Sequence, residues 1–129
     1  MSPVNDIAPV SIRFLAVTGS KTQRGGVIVG TSDFIAEGKE CVLEGDKVVY
    51  PDGSHSIVSR DATIGVTTTP DQNTELTIAA TGTAIANGDV IVDPGQYRMA
   101  TVLYSNGEGS VAILDEDEVA EFKSQGLIS

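Results

Sequence analysis

A short phrase recurs along the chain: a glycine followed by a small polar residue, with apolar residues on both sides. It stands as Ala16-Val17-Thr18-Gly19-Ser20-Lys21-Thr22, as Val42-Leu43-Glu44-Gly45-Asp46-Lys47-Val48 and as Ile85-Ala86-Asn87-Gly88-Asp89-Val90-Ile91. The first copy continues into Gly25-Gly26-Val27-Ile28-Val29. Glycine accepts positive φ and aspartate bonds nearby backbone, so such a pair between β-branched runs marks a tight corner or a hairpin. Repetition implies one strand–turn unit used again rather than an enzyme built around a pocket. Structural turns are therefore expected at Gly19, Gly25, Gly26, Gly45, Asp46, Gly88 and Asp89.

The chain has 129 residues, enough for one domain with a modest core. Aromatic residues make up 5% and Trp is absent, so that core has to come from Val, Ile, Leu and Ala, a mixture that suits pleated surfaces. Fourteen glycines and five prolines cut the sequence into apolar runs of three to six residues, the pattern of a compact all-β fold. Asn106-Gly107 predicts a hairpin between residues 97–104 and 110–114, and the Thr-rich stretch 63–77 predicts another around Pro70-Asp71-Gln72-Asn73. Near the end, residues 116–123 read as one short helix. Asp115 is its N-cap, acidic residues fill its first turn, Val119 and Phe122 form its apolar face, and Gly126 stops it.

The net charge of −10 argues against nucleic acid as a partner, because phosphates would be repelled. The single cysteine, Cys41, has no disulfide partner and reads as a small hydrophobe in a strand. Residues 1–6 lack the basic stretch of a secretory signal, so synthesis in the cytoplasm is expected, with any export by another machine. Catalytic readings fare poorly. Ser54-His55 are adjacent, and adjacent residues rarely face each other as nucleophile and base. Gly25-Gly26 lacks the Gly-Lys-Ser/Thr of a phosphate loop, and Asp115-Glu116-Asp117-Glu118 lacks the alternation and central glycine of a calcium loop. No paired carboxylates, nucleophile or metal cluster stands ready, so a non-enzymatic role is expected.

The segment Val17-Thr18-Gly19-Ser20-Lys21-Thr22-Gln23-Arg24-Gly25-Gly26-Val27-Ile28 resembles the opening of PAAR-repeat proteins, in which Gly-Asp-x-Thr-x-His-Gly-Gly precedes two apolar residues. Gly38-Lys39-Glu40-Cys41-Val42-Leu43-Glu44-Gly45-Asp46-Lys47-Val48-Val49-Tyr50-Pro51 keeps that family's frame, with Glu40-Cys41-Val42-Leu43 where the named Pro-Ala-Ala-Arg would stand. Residues 84–91 resemble the closing repeat. The resemblance implies a small cone of short β-hairpins over residues 16–95, preceded by an N-terminal arm and first strand (1–15) and followed by a C-terminal hairpin and short acidic helix (96–129). It implies a structural role: one copy caps and sharpens a trimeric β-helical spike, which pierces a bacterial outer membrane. Such tips belong to contractile phage tails, where they sit on the virion baseplate, and to type VI secretion systems. A cone seated on a spike must bury its base, so the runs Val27-Ile28-Val29 and Val90-Ile91-Val92, also suited to core strands, are candidates for the docking interface. The family's tip usually holds zinc through three His and one Cys. Arg24 and Tyr50 occupy two of those positions here, and His55 with Cys41 is too small a ligand set, so zinc is not expected, with His55 as the one weak candidate ligand. A different structural role also suits a small, acidic, Gly- and Thr-rich β chain: a trimeric virion decoration or fibre-associated protein.

Overall fold

A computed structural model describes residues 7–64, 67–69 and 74–128. Three tripeptides, Leu15-Ala16-Val17, Cys41-Val42-Leu43 and Ile78-Ala79-Ala80, lie at its centre. They pair end to end through the bridges Val17–Cys41, Leu43–Ile78 and Ala80–Leu15 and so close a ring. Their middle residues pass backbone hydrogen bonds round the ring: Val42 N–H to Ala16 O at 2.9 Å, Ala79 N–H to Val42 O at 2.8 Å, and Ala16 N–H to Ala79 O at 3.0 Å. Extended backbone sends successive side chains to opposite sides, and the ring uses that alternation to divide the core. Ala16, Val42 and Ala79 pack in one layer with Ile28, Val48, Val58, Ile85 and Ile91. Leu15, Val17, Cys41, Leu43 and Ile78 pack in the other, with Ala36.

From each ring segment the chain turns through a glycine with positive φ: Gly19 (94°), Gly45 (88°) and Gly82 (90°). The N–H of each corner donates to the strand that returns, at Ile28 O, Val58 O and Ile91 O respectively, over 2.7–2.8 Å. Three units therefore repeat one path, over residues 15–28, 41–58 and 78–91. The first contributes strands β2 (Lys21–Thr22) and β3 (Val27–Ile28). A two-stranded ribbon, β4 (Ile35–Ala36) and β5 (Lys39–Glu40), leads from it to the second unit, which holds β6 (Lys47–Val49) and β7 (His55–Ile57). A second ribbon, β8 (Thr67–Thr68) and β9 (Leu76–Thr77), leads to the third unit, which ends in β10 (Ile91–Asp93). The hairpin strands join in one antiparallel sheet of order β10-β2-β3-β6-β7.

The third ribbon is the largest and joins the two ends of the chain. Strand β1 (Pro9–Phe14) enters the ring and pairs with β11 (Met99–Tyr104), which pairs with β12 (Gly109–Ile113). Thus residues 9–14 and 99–113, from the first and last segments of the described chain, contribute to a single sheet. Helix α1 (Glu116–Ser124) has the expected N-cap at Asp115, which accepts from Glu118 N–H, and the Glu118 side chain accepting from Asp115 N–H completes a capping box. Val119 and Phe122 pack on Ile12, Phe14, Ala100, Val102 and Leu114, a third core cluster outside the two ring layers. Gln96, 6% exposed, clamps the sheet to the ring: its amide donates to Leu15 O (2.8 Å) and Met99 O (2.7 Å) and accepts from Arg98 and Met99 N–H.

The protein is thus mostly β with one short helix, as composition predicts. The Asn106-Gly107 hairpin forms, with Gly107 at φ 86°. Strands β8 and β9 pair as the Thr-rich stretch predicts, while the turn at residues 70–73 lies outside the described residues. One phase assignment needs correction. Gly88-Asp89 is not the counterpart of Gly45-Asp46; that place belongs to Thr81-Gly82-Thr83, and Gly88 answers to Gly25 at the far turn of its unit. The sequence hides this because Thr83 replaces the aspartate at the corner, and its hydroxyl takes the Ala80 N–H (2.9 Å) as Asp46 takes the Leu43 N–H (2.8 Å).

Candidate functional site: the apex where three turns meet

Each unit ends in a turn of like construction. In the first, Thr22 N–H donates to Gly26 O and Gly25 N–H to Thr22 O; residues 50–54 and 85–89 repeat both bonds. The turns come together at one end of the molecule, and each supplies a different side chain to a shared hydrogen-bond network. Tyr50 Oη donates to Asp89 Oδ2 at 2.7 Å and accepts from Asn87 Nδ2 at 3.0 Å. Asp89 Oδ1 accepts from Arg24 N–H (3.2 Å) and Val90 N–H (2.8 Å), and Asn87 Oδ1 accepts from Asp89 N–H (3.0 Å). The Arg24 guanidinium reaches Asn87 O at 3.4 Å. First, second and third units are therefore stitched through Arg24, Tyr50 and Asn87–Asp89.

Two features make this approach feasible. Gly26 lacks positive φ and matters for space instead. A Cβ there would lie 2.5 Å from Val48 Cγ1 and 3.0 Å from the Tyr50 ring, so its hydrogen lets Tyr50 lie across the first turn. Asp89 is 2% exposed, and burial by itself pushes its carboxyl pKa up. Hydrogen bonds from Thr22, Tyr50, Val90 and Arg24 outweigh that and hold it below the usual carboxylate range. The charge is thus kept and shared among donors from three units. Beside it a cleft of about 410 Å³ is lined by Arg24, Tyr50, Pro51, Asp52, Ser54 and Asn87.

Arg24 and Tyr50, which the resemblance sets at metal-ligand positions, do meet at this apex, but the donor set does not fit zinc. A guanidinium has no lone pair to give, and the Tyr50 hydroxyl and Asp89 carboxylate are already hydrogen-bonded. His55 is exposed on β7 opposite Val49 and belongs to no group of three or more metal-ligating side chains among the described residues. Cys41 is fully buried in the ring layer, which pushes its thiol up to about 12, far from a thiolate ligand.

The other sequence-derived positions divide by depth. Asp46 works at a ring corner, where its carboxylate takes Leu43 N–H, Thr31 N–H and the Thr31 hydroxyl (2.6 Å). Of the six residues offered for docking, Ile28 and Ile91 are 0% and 1% exposed and belong to the core, because strand alternation turns them inward. Val27, Val29 and Val92 face outward, and Val90 is half-buried. Sequence reasoning missed Gln96, Asn87 and Thr22. The Asn87-Gly88 pair was a legible signal for a turn, but nothing local marked which groups the turn would meet. In comparisons with known proteins, no family model, curated protein or solved structure matches the chain.

Proposed function

We propose that the chain is a structural tip: one copy caps a trimeric β-helical spike of a contractile injection machine, a phage tail or a type VI secretion system, and helps it pierce a target-cell envelope. The observation that carries this reading is the ring with internal three-fold character, in which three units repeat the same path and the same bonds within one chain. A partner with three identical subunits presents three identical ends, and a single chain can meet all of them only if it repeats its own surface. The ribbons, each formed by a strand entering one unit and a strand leaving the one before it, pack Ala36, Leu76 and Met99 on the ring layer opposite the one that packs Ile28, Val48 and Ile91 of the three units. They are the natural seat on such a partner. At the other end, short turns, mutual hydrogen bonds and a buried layer of branched residues favour stiffness, which is what a mechanical role requires.

The test is stoichiometry. Alone, the protein should be a monomer by light scattering, and mixed with a trimeric β-helical spike protein of a contractile machine, it should bind at one chain per trimer. A stable homotrimer of the isolated chain would favour the decoration reading instead and defeat this one.

A further inference from the structure

Strand β12 ends the sheet β1-β11-β12, and its outer side pairs with nothing among the described residues. The opposite edge is closed by the chain itself, where Ile12 N–H donates to Leu127 O at 2.8 Å and Ile12 bridges Ile128 in parallel. In an antiparallel ladder alternate residues face the partner strand. The bonds Tyr104 N–H to Glu108 O and Leu114 N–H to Arg98 O assign residues 108, 110, 112 and 114 to β11. Gly109, Val111 and Ile113 therefore direct their N–H and C=O groups outward. Val111 is 38% exposed and Ile113 63%. Natural edges are blunted by lysine, proline or inward charges, and Gly109-Ser110-Val111-Ala112-Ile113 contains none of these.

We infer that this edge is a docking site for one extended strand of basic, apolar-alternating character, supplied by another protein and added by backbone pairing. Charge identifies the occupant. Glu108 stands at one end of the strand and Asp115-Glu116-Asp117-Glu118 at the other, on a chain of net charge −10. A second copy paired antiparallel about Val111 would set Glu108 of each molecule against the acidic run of the other, a repulsion repeated at both ends. A strand with Val or Ile opposite Val111 and Ile113 and Lys or Arg at its ends gains on both counts. The inference stands on the sheet edge alone and does not depend on the spike-tip reading.

A labelled peptide of about eight residues with alternating Val and Lys, long enough to span the strand, is the probe, and its Val/Glu counterpart is the control. Fluorescence anisotropy with the intact chain should show binding of the first and not of the second. Val111→Pro removes an outward N–H without touching the bonds to β11, and should keep the fold by circular dichroism while weakening binding at least about tenfold. Ile113→Lys, which leaves the backbone untouched, should weaken it similarly and decides the matter if the proline variant fails to fold. Equal binding of both peptides, or undiminished binding by a folded edge variant, overturns the inference. So does a homodimer in sedimentation that Ile113→Lys abolishes, since the occupant would then be a second copy.

Discussion

Single side chains here hold distant segments together, and Asp61 is the clearest case. Its carboxylate takes the Arg13 guanidinium at 2.5 Å and the hydroxyls of Thr63 (2.6 Å) and Thr83 (2.8 Å), while Arg13 also donates to Thr81 O at 2.7 Å. Burial pushes the Asp61 carboxyl up, but the Arg13 hydrogen bond and charge, with the two hydroxyls, pull it down to about 2 from 3.8. A carboxyl depressed in the folded state stabilises the protein above its unfolded pKa, and that contribution fades as pH falls from about 4 through 2, a loss of about 2 kcal/mol. Asp61→Asn should therefore cost at least about 2 kcal/mol in urea unfolding at pH 7 and flatten the stability profile between pH 4 and 2. Retention of the parental acid slope by the variant would discard the assignment. Glu37 shows the opposite balance. It is the one non-glycine with positive φ among the described residues (52°), and its ion pair with Arg98 (3.3 Å) is solvent-exposed and worth little. Asparagine tolerates that backbone better, so Glu37→Asn should raise stability by about 0.5–1 kcal/mol in thermal unfolding.

At the scale of elements, the three corners are equivalent by backbone though not by sequence. Gly82 has φ 90° and only Arg13 atoms near its missing Cβ, at 3.6 Å or more, so replacing it by Ala meets backbone strain rather than a clash. Gly82→Ala should cost about 1–2 kcal/mol, and Gly45→Ala, with open space around it, a like amount. Parallel losses in chemical denaturation support the equivalence; a silent Gly82 variant would break it. The comparison shows how far local sequence could reach. Glycine corners, the Asn106-Gly107 hairpin and the helix with its Asp115 cap are local devices whose causes lie within a few residues, and they were readable for that reason. The phase of the third unit was not, because Thr83 does by hydroxyl what Asp46 does by carboxylate, and Asn87-Gly88-Asp89 imitates a corner while serving as an apex turn. The pairing of β1 with β11 joins residues some ninety positions apart, and Gln96, which seals that junction, carries no local signature.

For the molecule as a whole, an internal three-fold ring without identical copies permits what exact symmetry would forbid. Identical turns would present three like groups to one another at the apex. Divergent ones present a cation, a phenol, and an amide with a carboxylate, which satisfy each other: Arg24, Tyr50, Asn87 and Asp89. These side chains give the junction hydrogen bonds from all three units. Two outcomes follow from this. A strong chelator should leave the melting temperature unchanged, and metal analysis of the purified protein should find no stoichiometric zinc. Tyr50→Phe, which deletes the hydroxyl between Asp89 and Asn87 without changing the ring, should by contrast cost about 1–3 kcal/mol, because it leaves a buried carboxylate short of a donor. If instead the chelator lowers stability and Tyr50→Phe does nothing, the apex is organised by an ion, and the hydrogen-bond network is a consequence of its closure rather than the cause.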